Sequence, residues 1–148
     1  MDHTKNLIAY LKITRENLRT LHRHLQGGSW QSDHELLDEY YKKIDEIEDS
    51  IIESFLSLEI PDVSIAEASE MFKLDDIRAY LDLEAFARVR RYFERLIIYI
   101  NLVKENCDLP AHMISKFEEY EYYLFLESNY KLKQRLNRSD LGYLFKDD

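Results

Sequence analysis

A chain of 148 residues is long enough for one domain with a continuous buried core and too short for a comfortable second. Three glycines and two prolines, with 45% hydrophobic and 33% charged residues, leave little material for hairpins or linkers and point to an all-α fold. A formal net charge of -9 repels phosphate backbones and so disfavours direct DNA binding, while a single cysteine, Cys107, excludes an internal disulfide and points to a reducing, cytoplasmic setting.

The first predicted helix covers about 4–26, where Leu7, Ile8, Leu11, Leu18, Leu21 and Leu25 recur at three- and four-residue spacing before the stop signal Gly27-Gly28. A second covers about 31–58 through Leu37, Ile44, Ile47, Ile51 and Phe55, with Ser32 and Glu35 as an expected capping box and Pro61 preventing continuation. The stretch to Asp82 is too long for a tight turn, and Ser64 with Glu67 predicts a short helix at about 64–72 inside a crossover. A third long helix takes about 83–106 and a fourth about 109–136, with 137–148 as a tail and Asp108 as an expected cap between them. Two helical hairpins joined by a long connection make the ferritin-like form of the four-helix bundle. The longest apolar runs, such as 96–100, fall far short of the roughly 20 residues of a membrane span.

Two ligand pairs stand out on the second helix: His34 with Asp38 and Asp49 with Glu53, each four residues apart. Positions four apart sit about 40° from each other on a helix, so each pair can chelate, and eleven residues, about three turns, put Asp49 on the face of Asp38. At about 1.5 Å per residue, however, Asp38 and Asp49 lie roughly 16 Å apart, against metal–ligand distances of about 2.0–2.6 Å. One straight helix cannot close that site. Two copies packed antiparallel about a two-fold axis near residues 43 and 44 can, giving two equivalent sites about 22 Å apart.

On the first helix His22, one turn from Leu18 and three residues before Leu25, faces inward as a further candidate. Imidazole and carboxylate donors without thiolate suit iron(II), manganese or zinc. With Ser32 as the cap, His34 would occupy the first turn, where the helix dipole favours the neutral, ligating imidazole. A carboxylate pair one turn apart is by itself usually a solvated face; His22, His34, Asp38, Asp49 and Glu53 together, at successive offsets of 12, 4, 11 and 4, form a more specific pattern.

The run from Leu21 to Glu53, LHRHLQGGSWQSDHELLDEYYKKIDEIEDSIIE, resembles the Dps family of bacterial mini-ferritins, with His22, Gly27, His34, Asp38, Asp49 and Glu53 at the matching positions and no gap. The crossover IPDVSIAEASEMF and the stretch EEYEYYLFLES in the fourth helix are similar too. The resemblance implies a hollow, usually dodecameric homo-oligomeric cage that oxidises iron(II), preferably with hydrogen peroxide, at mono-iron or di-iron sites shared across the dimer axis, and stores the ferric product. It implies His22, His34 and Asp38 from one subunit with Asp49 and Glu53 from its partner, and iron entry through acidic three-fold pores to which Glu105 and Asp108 would contribute. Two positions depart from the family pattern: Arg23 stands where many members have tryptophan, and the only tryptophan, Trp30, lies in the turn. The 11 tyrosines would either quench radicals in its place or simply pack the bundle.

A Dps-like shell that binds zinc or manganese without turnover, and a helical interaction protein with a charged dimer seam, are the competing functions. Ferritin chemistry within one subunit is disfavoured because the chain has no Glu-x-x-His pair. His24 projects from a different face than His22 and is expected to be exposed, and His3 and His112 have no ligand pattern around them.

Overall fold

The computed structural model describes residues 2–26, 30–76 and 80–138. Helix α1 spans His3–His24 and begins at Asp2, whose carboxylate accepts the Lys5 backbone N–H at 3.1 Å and satisfies one of the orphan donors of the first turn. From Leu7 to Thr14 every residue of α1 is buried, because α1 is covered by α2 (Trp30–Ser57), by α3 (Ile65–Met71) and by α4 (Asp82–Asn106). Gly27-Gly28, the expected stop signal, lies outside the described residues.

Helix α2 starts at Trp30, so Ser32 is inside the helix and does not cap it. Its hydroxyl instead accepts a hydrogen bond from Arg135 Nη2 at 3.1 Å. The end of α2 is a Schellman-type stop built without glycine: Ile60 N–H bonds Phe55 C=O at 2.9 Å, Glu59 N–H bonds Leu56 C=O at 3.0 Å, and Glu59 takes φ 64°. A glutamate in the left-handed region costs roughly 1 kcal/mol, which the two closing hydrogen bonds offset.

In the crossover Ser64 caps α3, its hydroxyl accepting the Glu67 N–H at 3.1 Å, while the Glu67 side chain pairs with Lys5 of α1. Leu25–Gln26, directly after α1, pairs in parallel with Tyr80–Leu81, directly before α4. This short bridge decides the topology. It places the end of α1 beside the start of α4, so the crossover must climb the whole length of α2, and α4 runs parallel to α2. That is the ferritin-like connection of the four-helix bundle.

After α4, helix α5 (Ala111–Leu126) begins at Pro110 with no side-chain cap hydrogen bond, so Asp108 is not the cap expected of it. A π-helical turn at Glu127–Lys131 leads into α6 (Leu132–Arg138). The buried positions Leu124, Ser128, Leu132 and Leu136 recur every four residues, and at about 100° per residue each such step drifts about 40° around an α-helix. The wider π turn takes up that drift and keeps Leu132 and Leu136 on the core. The helix thus reaches Arg138, past the expected 136; the rest of the tail, 139–148, lies outside the described residues. Among the described residues no helix is long and apolar enough to cross a membrane.

Candidate functional site

His22 lies in the last turn of α1, and His34 in the second turn of α2, since that helix begins at Trp30. The expectation that His34 occupies the first turn is therefore corrected, and its dipole argument falls with it. Two tertiary ties at this end of the bundle bring the histidines together. One is the parallel bridge that anchors the end of α1. The other is Arg135 of α6, which pairs with the buried Asp33 carboxylate beside His34, donates to Ser32, and lies 5.3 Å from the centre of the Phe86 ring of α4.

The two imidazole rings stand 3.8 Å apart between centroids, inclined at 37°. Asp38, one turn beyond His34, places Oδ1 4.0 Å from His22 Nε2. That is too long for a hydrogen bond, yet two donors each about 2.1 Å from one divalent ion can stand up to about 4.2 Å apart. Burial holds the His22 pKa below its ordinary value, and the neighbouring His34 adds to this against the pull of Asp38. His22 therefore favours the neutral, ligating form.

Asp38 already has a cation. The Lys42 ammonium donates to its Oδ2 at 2.8 Å, and this hydrogen bond is the main reason the Asp38 carboxyl is held below the usual carboxylate range. Lys42 was not among the sequence candidates, although an acid four residues before a lysine is a readable signal.

Asp49 and Glu53 are both exposed on α2 and do not join the cluster. Among the described residues no group of three His, Cys, Asp or Glu side chains converges as a cage within the chain. In the second half of α2, next to Asp49, lies an ionic knot: the buried Glu48 accepts from Arg15 Nη1 at 2.9 Å, and Lys12 bridges Glu48 at 3.6 Å and Asp62 of the crossover at 3.2 Å. The knot fastens α1, α2 and the crossover at mid-bundle. Arg23, His24, Glu105 and Asp108 are exposed, and the Trp30 side chain lies outside the described residues.

These features define the class: a ferritin-like bundle of the Dps fold, with His22 set against His34 and Asp38 where α1 meets α2. Among solved structures the chain is similar to antigen TpF1 from Treponema pallidum, at 25% identity over 85% of this chain and 88% of that one, with a TM-score of 0.68. It is also similar to Dps from Listeria monocytogenes, at 14% identity over 94% and 96% of the two chains and a TM-score of 0.71. A third likeness is to Dps from Listeria innocua soaked with 10 mM zinc, at 15% identity over 91% of each chain and a TM-score of 0.62. No family model matches the sequence, and no curated protein matches it.

Proposed function

We propose that the protein is a cytoplasmic mini-ferritin that oxidises iron(II) at sites shared between two-fold-related subunits and stores the ferric product in a homo-oligomeric, dodecameric cage. The observation that carries this reading is the approach of His22 to both His34 and Asp38 near the start of α2, with Asp49 and Glu53 left exposed on the same helix. An antiparallel dimer about residues 43 and 44 pairs positions whose numbers sum to 87. His34 then faces the partner's Glu53, and Asp38 faces the partner's Asp49. Lys42 faces the partner's Asp45, so the seam is complementary in charge at its centre as well.

Each site would hold iron(II) as substrate. Hydrogen peroxide takes one electron from each of two iron(II) ions, its O–O bond breaks, and with two protons it leaves as two waters. The carboxylates balance the charge of the ferric product, and the His22 and His34 rings supply nitrogen donors. Lys42 holds Oδ2 of Asp38 and leaves Oδ1 toward His22, so Oδ1 is the oxygen that iron(II) would take.

A shell that holds zinc or manganese at the same residues without turnover is the second reading, favoured by a donor set of imidazole and carboxylate that does not choose among these ions. One experiment separates the two. Iron(II) is added to apoprotein without oxygen, peroxide is titrated in, ferric absorbance is followed, and the particle is sized by light scattering. Oxidation faster than in buffer, at one peroxide per two iron(II), in a particle much larger than a dimer is expected. Binding of iron(II) with a buffer-like oxidation rate would favour the second reading, and a small particle would remove the cage.

A further inference from the structure

A cleft of about 660 Å³ opens between α1, the crossover beyond α3, and α4, and shares no lining residue with the His22–Asp38 cluster. Four cations, Lys73, Arg88, Arg91 and Arg95, line it against two carboxylates, Asp75 and Glu94, a local reversal of sign in a chain of net charge -9. Both carboxylates are already engaged. Asp75 takes the Tyr92 hydroxyl and Arg88 at 2.9 Å, while its backbone N–H donates to Asn17 Oδ1 at 3.1 Å. Glu94 is ion-paired with Arg90 at 3.3 Å.

Arg91 and Arg95 sit one turn apart on α4 with Lys73 on the crossover, and none of the three has a carboxylate partner among the described residues. Under this cationic rim lies an aromatic floor. Tyr10 is buried, meets Phe72 edge-on at 5.2 Å, and carries the Arg95 guanidinium 5.9 Å from its ring centre. The volume falls within the roughly 300–1,000 Å³ of small-molecule sites. A bare inorganic anion would leave the floor unused, and a neutral ring would leave Arg91 and Lys73 unmatched. Guanidinium forks match phosphate geometry and also stack on planar rings.

We propose that this cleft binds a small organic phosphate carrying a planar ring, of the nucleoside monophosphate class, with the phosphate on Arg91, Arg95 and Lys73 and the ring over Tyr10 and Phe72. This assignment is independent of the iron chemistry. The test is calorimetric titration of the full-length assembled protein with adenosine monophosphate, adenosine and inorganic phosphate in parallel. The monophosphate is expected to bind at least about 10-fold more tightly than either fragment, and Arg91→Gln with Arg95→Gln to weaken it by at least about 10-fold. Lys73→Gln, an exposed change on the crossover that leaves α4 untouched, is expected to weaken it in the same direction. Equal binding of inorganic phosphate would overturn the role of the floor, and equal binding of adenosine that of the rim. Absence of binding at millimolar monophosphate, or affinity unchanged in these variants, would overturn the site.

Discussion

The two ends of α2 have the same scaffold and opposite chemistry. Toward its start, His34 and Asp38 are half-buried, His34 stacks on His22 of α1, and Asp38 is held by Lys42. Toward its end, Asp49 and Glu53 are exposed although the helix beneath them is as well packed, with Ile47, Ile51 and Phe55 fully buried. A helix can therefore present a ligand pair that its own chain does not complete. If the exposed pair belongs to a neighbour's site, the two halves should fail differently when damaged.

The largest expected effect is shared by both halves. Leu37→Ala near one end and Ile51→Ala near the other remove fully buried side chains, and each should cost about 2–5 kcal/mol in urea unfolding. Glu53→Ala, on the exposed face, should stay within about 0.5 kcal/mol. A large stability loss from Glu53→Ala would mean that this end has a structural role within the chain.

Next come the ligands. His34→Ala, Asp38→Ala and Glu53→Ala should each slow peroxide-driven iron oxidation by about 10–100-fold with the assembly intact. In an isolated mixed dimer of His34→Ala with Glu53→Ala subunits, one site carries both lesions and the other none, so about half the wild-type rate should return. Loss at both sites would place the chemistry within single subunits.

In the proposed antiparallel dimer, Lys42→Glu would set like charges against the partner's Asp45 and should shift the dissociation midpoint by about 10-fold, read by sedimentation. An unchanged midpoint would move the two-fold away from residues 43 and 44.

The smallest effect concerns Glu48, buried beside the exposed Asp49. Burial raises its carboxyl above the ordinary 4.5, with Arg15 and Lys12 pulling it back. A folded value above the unfolded one means that the folded state binds more protons across that window. Its contribution is therefore complete below pH 4.5 and is lost as the pH rises through the folded value. Glu48→Gln should remove that slope from the urea midpoint measured across the window, and identical slopes in the two proteins would locate the titration elsewhere.

Much of the fold was legible because helix periodicity is local. The apolar positions of the four long helices repeat within one or two turns, and Ser64 announced α3 through a single hydrogen bond to Glu67. Ser32 misled because a serine three residues before a glutamate satisfies the capping pattern wherever it falls. What it bonds instead is Arg135, more than 100 residues away. Glu59 gave no signal because the left-handed stop it occupies usually takes glycine. The π turn was only hinted at, by four-residue spacing through Leu124, Ser128, Leu132 and Leu136.

For the site the division has a similar cause. Sequence alone determined that Asp38 and Asp49 cannot hold one ion in one chain, because the rise of a helix is a constant that needs no coordinates. It also supplied the five candidate residues and their spacing. Only the tertiary structure decided that His22 stacks on His34 at 3.8 Å, that Asp38 stands 4.0 Å from His22, and that Asp49 and Glu53 remain outside. Convergence of residues on different helices depends on how those helices are tied, and the ties, a two-residue parallel bridge and Arg135 on Asp33, join segments more than 50 residues apart.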